Sequence, residues 1–205
     1  MDVSRLSEVF RSISAVMTDN TEYLTELDAR FGDADLGISM RDGFSAVYRY
    51  ISSCSETDLG IALRGCSSAF NEAAPSSLGT IISFGLMGMA KTLKGKTEAT
   101  TDDIAKALSA GLSLIMDRAK SKPGEKTVLD SISPAIDALN ADIDTGASAA
   151  FASAAKAAAA GLEETKNMVG KHGRIAYYGD KTLGYVDGGA AVGMLIFKAI
   201  SETVL

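Results

Sequence analysis

Asp28, Asp33 and Asp35 crowd into the stretch Leu27-Asp28-Ala29-Arg30-Phe31-Gly32-Asp33-Ala34-Asp35-Leu36-Gly37-Ile38-Ser39-Met40, a glycine-flanked turn between two helix-like segments. Two carboxylates about 4 Å apart repel by roughly 4 kcal/mol at the effective dielectric of a protein surface, so three that converge call for metal ions or protons. Asp33 and Asp35 lie two apart and point the same way if the segment is extended, while Asp28 comes from the end of the preceding helix. Hard oxygen ligands without His or Cys nearby suit Mg²⁺ or Ca²⁺ rather than Zn²⁺, and Mg²⁺ held by few carboxylates fills its shell with phosphate and water. An Asp-rich turn is also a common solvated helix cap, so the metal reading depends on what accompanies it. An EF-hand loop beginning at Asp33 is excluded, because Ile38 and Phe44 stand where that loop needs Gly and Glu.

Helices must position this turn. Val3, Leu6, Val9, Phe10, Ile13 and Met17 recur at helical spacing, and Asn20 or Thr21 can cap a second helix that runs through Leu24 and Leu27 into the aspartates. A third helix carries Met40, Phe44, Val47 and Ile51. Asp58 caps a fourth through Phe70, and Pro75-Ser76-Ser77 opens a fifth, Leu78 to Leu93, interrupted by Gly79, Gly85 and Gly88. Each glycine costs about 1 kcal/mol against alanine in a helix interior, so three imply close approach, either of a neighbouring helix or of a bound nucleotide. Ser76 and Ser77 at a helix start can offer hydroxyls and free N–H groups to a phosphate. Thr101 is expected to cap a sixth helix and Lys122-Pro123-Gly124 to turn the chain into a seventh; an alanine-dense helix spans Gly146 to Gly161. A polar loop, Gly173-Arg174-Ile175-Ala176-Tyr177-Tyr178-Gly179-Asp180, then leads to Asp187-Gly188-Gly189 and a last helix. A loop of that length in a helical domain reads as functional. His172, the only histidine, reads as a surface residue rather than a ligand.

No alternating strand pattern occurs, so the 205 residues are expected to form a single all-α domain, 1–205, of roughly eight mostly antiparallel helices. A formal net charge of −6 excludes a basic nucleic-acid or anionic-membrane surface. The most apolar run, Leu78 to Ala90, is shorter than the roughly 20 residues that span a bilayer. Cys54 and Cys66 form no C-x-x-C motif and read as helix-packing residues. With no signal-peptide pattern at the start of the chain, a cytoplasmic location is expected. Lys94-Gly95-Lys96-Thr97 and Gly124-Glu125-Lys126-Thr127 are not P-loops, because Ala90 and Ala119 stand where the first glycine is required. No nucleophile–base constellation can be assembled around one histidine.

Taken together, the aspartate turn, Ser76-Ser77, Lys122-Pro123-Gly124-Glu125-Lys126-Thr127-Val128-Leu129-Asp130, the Gly173–Gly179 loop and Asp187-Gly188-Gly189 resemble the L subunit of dihydroxyacetone kinase (the DhaL family) in order and spacing. The resemblance implies an eight-helix antiparallel barrel that holds ADP or ATP through two Mg²⁺ ions. It implies Asp28, Asp33 and Asp35 as metal ligands, with Leu36, Gly37, Ser39, Ser76, Ser77, Thr127, Val128, Arg174, Asp187, Gly188 and Gly189 around the nucleotide. It also implies a magnesium-dependent kinase subunit that works with a separate DhaK-type subunit holding the ketose covalently on a histidine, and is recharged by ATP or by a PTS phosphocarrier of DhaM type. The chain departs from the family's Gly-Asp-Gly-Asp-His-Gly-x-Asn-Met, reading Gly-Asp-Ala-Asp-Leu-Gly-Ile-Ser-Met. Leu36 and Ser39 thus replace polar groups beside the phosphates. The loss leaves two further expectations open: a related small ketose as acceptor, or a catalytically silent nucleotide-binding regulator or coactivator.

Overall fold

The computed structural model describes residues 1–204. Its nine α-helices among those residues are α1 (Val3–Asp19), α2 (Thr21–Ala29), α3 (Leu36–Ser52), α4 (Leu59–Ala73), α5 (Ser77–Thr92), α6 (Thr101–Ala119), α7 (Leu129–Ala141), α8 (Ala147–Glu164) and α9 (Gly188–Val204). The all-α class is as expected, and no strand occurs among the described residues. Contacts cluster into two compact units, one formed by Met1–Ala15 and Ser39–Lys120, the other by Val16–Ile38 and the chain from Ser121 onwards. No helix is long and apolar enough to cross a membrane.

In the first unit α5 packs against both α4 and α6. Asp58 caps α4 by accepting from the amides of Gly60 and Ile61 at 2.8 and 3.0 Å, and its other oxygen accepts from Gly95 N–H at 2.8 Å. One carboxylate therefore fixes a helix start and the turn beyond α5 together. Phe44 and Phe70 meet edge to face at 4.8 Å, and a side chain at Gly43 would run into the Phe70 ring. The cap of α6 is Thr100, one residue before the expected Thr101; Thr100 and Asp103 form a capping box that Thr101 is not placed to make. Cys66 is buried in α4 as expected, whereas Cys54 lies beyond the end of α3, its thiol 3.8 Å from the Tyr50 hydroxyl.

The α5 glycines serve helix packing. A Cβ at Gly88 would stand 2.6 Å from the Cα of Gly111 and 2.8 Å from the Ala110 carbonyl on α6, and one at Gly85 would meet Ile115 at 3.1 Å. Backbone approaching backbone leaves no side chain to move aside.

In the second unit α8 packs against α7 and α9. Ala150, Ala154 and Ala158 line its buried face, and their small side chains allow the close approach. Pro134 lies inside α7 and withholds the N–H that the Asp130 carbonyl would accept; Gly161 of α8 faces that carbonyl, where a Cβ would come within 2.1 Å. The break between α1 and α2 falls at Asn20. Its side chain donates to the Val16 carbonyl at 2.8 Å and makes no capping bond to α2.

Gly88→Val is expected to destabilise the protein by about 2–3 kcal/mol, because the contact on its far side is main chain. Urea unfolding reads this directly, and an unchanged midpoint would contradict the packing.

Candidate functional site

Asp28 stands in the last turn of α2 and organises the turn that leads into α3. Its backbone carbonyl accepts from the amides of Phe31 and Gly32 at 3.1 and 2.6 Å, closing the turn. Its side-chain Oδ2 accepts from Asp35 N–H at 3.1 Å and more weakly from Leu36 N–H at 3.4 Å, so it caps the start of α3. Gly32 is required here, since a Cβ would fall 1.9 Å from the Asp28 carboxylate. Ala34 adopts φ +62°, the left-handed region, so the Asp33–Asp35 segment is not the extended stretch expected. The three carboxylates nevertheless converge, each contributing an oxygen to a group lying within 4.8 Å. Asp35 is held above the usual carboxylate range by partial burial, then by the charges of Asp33 and Asp28, with Arg174 opposing.

The cation facing this cluster is Arg174, whose Nη2 lies 2.6 Å from Asp33 Oδ2. Arg174 opens a 3-10 segment, Arg174–Thr182, broken at Gly179, where the sequence suggests only a loop. The segment and the residues after it dock on the aspartate turn through aromatic rings. Tyr178 and Tyr185 meet the Phe31 ring edge to face at 5.1 and 5.7 Å, and the Arg30 guanidinium lies 4.1 Å above Tyr185.

The turn before α7 is built on buried charge. The Asp130 carboxylate accepts from the amides of Gly124 and Thr127 at 2.5 and 2.7 Å, while Thr127 Oγ1 accepts from Leu129 N–H at 3.2 Å. Gly124 and Lys126 both have positive φ, +89° and +60°. Lys126 is 1% exposed, and burial holds its ammonium below the usual lysine range. Glu125 receives His172 Nε2 at 2.6 Å, and this contact first, then the Lys122 amide, holds its carboxyl down at about 2. His172, partly exposed as expected of a surface residue, therefore ties two loops together.

Asp187 is buried. Its Oδ2 accepts from Ala190 N–H at 2.8 Å, capping α9, and its own N–H donates to Thr165 Oγ1 at 2.9 Å. Burial pushes the pKa of its carboxyl up to about 7, with the amides of Ala190 and Gly189 and the Lys126 ammonium opposing and Asp130 adding to the rise.

The starts of α3, α7 and α9 meet in the second unit. A Cβ at Gly188 would stand 2.7 Å from the Leu36 side chain, and one at Gly189 would stand 3.1 Å from Val128 N. Leu36, Val128, Asp187, Gly188 and Gly189 thus share a neighbourhood, with Thr127 beside Val128. Gly37 is used differently: its Cα faces the Thr21 carbonyl of α2, where a Cβ would come within 2.0 Å. Ser39, Ser76 and Ser77 fall in the first unit, and the Ser76 hydroxyl accepts from Gly79 N–H at 3.1 Å as the cap of α5. Glu125, Lys126, Asp130 and His172 are absent from the site residues implied by the sequence. The Lys122–Asp130 run, quoted for the resemblance, was the sequence signal for the first three, and His172 had none.

This cluster fits Mg²⁺: it offers carboxylate oxygens only, and its own charges disfavour ionisation of Asp35. No other acidic, His or Cys trio among the described residues converges in this way.

A sequence model described as the DAK2 domain matches residues 30–202. The chain is 25% identical over 188 residues to the ADP-binding subunit DhaL of the PEP-dependent dihydroxyacetone kinase of Escherichia coli (strain K12), covering 91% of this chain and 90% of that protein. It is 30% identical over 191 residues to the corresponding subunit of the PTS-dependent kinase of Lactococcus lactis, again covering 91% and 90%. Its fold matches the crystal structure of the dihydroxyacetone kinase from C. freundii in complex with AMP-PNP and Mg²⁺, with a TM-score of 0.77 at 22% identity. The match covers 96% of this chain and 33% of that one.

Two outcomes are expected. A left-handed alanine costs about 1–2 kcal/mol, so Ala34→Gly should stabilise the protein by about 0.5–1 kcal/mol after the extra unfolded-state entropy of glycine, as read by urea unfolding. For Asp187, the folded state keeps a proton that the unfolded chain releases near pH 4. Its contribution is therefore full below about pH 4 and is lost as pH rises through about 7. Asp187→Asn, which keeps an acceptor for Ala190, should flatten the fall in unfolding midpoint between pH 5 and 8.

Proposed function

The chain belongs to the DAK2 domain family, and from that premise we propose that it is the Mg²⁺- and ADP- or ATP-binding subunit of a kinase for dihydroxyacetone or a related small ketose. In this reading the whole chain serves as one nucleotide-binding domain. It passes a phosphoryl group to a ketose held by a separate DhaK-type subunit and is recharged either by free ATP or by a PTS phosphocarrier of DhaM type. The observation that carries the proposal is the convergence of Asp28, Asp33 and Asp35 within 4.8 Å beside the Arg174 guanidinium.

Asp28, Asp33 and Asp35 would hold Mg²⁺, two ions by the family resemblance. When bound, Mg²⁺ would offset the charge of the polyphosphate and polarise the oxygens of the transferring group. The chain's own residues supply orientation. Asp28 is aimed by the amides of Asp35 and Leu36, which leaves its other oxygen for a ligand. The meeting helix starts of α3, α7 and α9 bring their positive dipole ends to one place, an environment suited to phosphate. Leu36, Gly37, Thr127, Val128, Gly188 and Gly189 would shape the walls around the nucleotide, with Asp187 holding the start of α9. Arg174 carries a charge that can pass from Asp33 to a phosphate oxygen. For Ser39, Ser76 and Ser77 the proposed phosphate role rests on the sequence resemblance.

No nucleophile stands in the aspartate turn, and His172 is engaged by Glu125. The subunit alone is therefore proposed to turn over no ketose, the acceptor and its covalent anchor belonging to the partner.

Purified protein should bind ADP or ATP in the presence of Mg²⁺, and Asp33→Ala should lower that affinity at least a hundredfold by isothermal calorimetry; equal affinity in the variant would refute the metal assignment. Mixed with a DhaK-type subunit and a short ketose, the protein should yield sugar phosphate from ATP or from a phosphocarrier. Binding without any product under either donor would instead indicate a silent regulator.

A further inference from the structure

The Lys126 ammonium is enclosed by main-chain carbonyls. Its Nζ lies 2.6 Å from Thr165 O, 2.6 Å from Tyr185 O, 2.9 Å from Thr182 O and 3.2 Å from Met168 O. Three N–H groups are thus shared among four acceptors, all on one stretch of chain, and no carboxylate makes a direct bond to the charge. Asp130 and Asp187 act on it through space. Carbonyls so gathered repel one another through their aligned dipoles; the other polar ties of the stretch, such as Gly184 N–H to the Lys166 carbonyl at 2.8 Å, Gly170 N–H to Thr182 Oγ1 at 3.2 Å and His172 to Glu125 at 2.6 Å, do not bring these four carbonyls together. Residues 165–185 contain only two short 3-10 segments, Thr165–Asn167 and Arg174–Thr182.

That same stretch carries the groups that meet the aspartate turn. Arg174 reaches Asp33, while Tyr178 and Tyr185 flank Phe31. Tyr185 supplies both a ring to Phe31 and a carbonyl to Lys126. Thr165, whose carbonyl Lys126 also holds, accepts the Asp187 amide on its hydroxyl. We propose that Lys126 is a positioning residue of the nucleotide site: its ammonium acts as a tethered cation at the centre of a four-carbonyl cage and sets where Arg174, Tyr185 and Asp187 stand relative to the aspartates. Lys126 touches neither metal nor phosphate in this role. It differs from a P-loop lysine, which reaches the phosphates directly. The inference rests on the nucleotide-binding reading for its functional consequence, and on the cage alone for its structural one.

Two variants test it. Lys126→Met keeps the aliphatic stem and removes the donors, whereas Lys126→Ala empties the cage, and propylammonium supplied in the buffer has the shape and charge to refill it. Hydrogen exchange followed by mass spectrometry on the nucleotide-free protein should show residues 166–187 exchanging at least tenfold faster in both variants, with α4, α5 and α6 unchanged. Propylammonium should restore protection in Lys126→Ala and leave Lys126→Met unaffected. In calorimetry, Mg²⁺-nucleotide affinity should fall at least tenfold in both and recover with propylammonium in the alanine variant only. Wild-type exchange in Lys126→Met, or no rescue of a folded Lys126→Ala, would overturn the proposal. So would collapse of both variants throughout the chain, since the ammonium would then hold far more than this segment. If wild-type protein binds no nucleotide, the function proposed above fails while the exchange measurement still decides the cage.

Discussion

Repulsion among Asp28, Asp33 and Asp35, whose oxygens lie within 4.8 Å of one another, is the force that the surrounding structure has to balance. The protein balances only part of it. Two amides reach one carboxylate of the three, and Arg174 faces another across a pair whose side chains are 63% and 41% exposed. An ion pair as open as that contributes little, because water and salt screen it. Three carboxylates against one guanidinium leave a local excess of negative charge, which, after burial, holds the Asp35 carboxyl above the usual carboxylate range. In the function proposed above, a divalent cation would relieve this repulsion at the same time as it gains ligands.

The same economy appears at three helix starts. Asp28 caps α3, Asp130 holds the turn that leads into α7, and Asp187 caps α9. Asp28 and Asp187 satisfy amides that a helix start would otherwise leave open, while Asp130 takes up the Gly124 and Thr127 amides of the turn before α7. Because Leu36 meets Gly188 and Val128 meets Gly189, the three starts sit together, and their summed dipoles favour an anion where the aspartate turn favours a cation. A metal-bound polyphosphate satisfies both preferences at once; either charge alone would satisfy one and oppose the other.

What the sequence disclosed was what is local in it. The aspartates lie within a few residues, so their convergence could be read from spacing, and most helices followed from apolar periodicity to within a residue or two, the α6 cap at Thr100 being such a slip; α8 runs three residues past the expected Gly161, to Glu164. Lys126 could not be read in that way. Its partners lie 39 to 59 residues further on, and a lysine that ends in a carbonyl cage carries the same letters as one that ends in water. The α5 glycines likewise stated that something comes close without saying what; the identity of Gly111 as the neighbour of Gly88 is a tertiary fact. His172 is the surface residue expected, but its partner Glu125 could not be read for a related reason, being remote in sequence. Ala34 is the converse case: its left-handed backbone lies in the turn most legible from sequence, yet alanine gives no hint of it, whereas glycine would have.

Leu36 shows how a departure from the family pattern can be absorbed. Set beside the phosphate in the expected arrangement, it removes a polar group, and by that count the site should be weakened. In the structure its side chain is buried against Gly188, a contact that a Cβ on that glycine would obstruct. The residue therefore joins the start of α3 to the start of α9 by apolar packing, which stabilises the juxtaposition of helix ends whatever it withdraws in hydrogen bonding. Ligand geometry and helix dipoles then rest on carboxylates and main chain that the substitution leaves in place. In the function proposed above, the change would act on acceptor choice or the speed of transfer, while the carboxylates that gather charge are left in place.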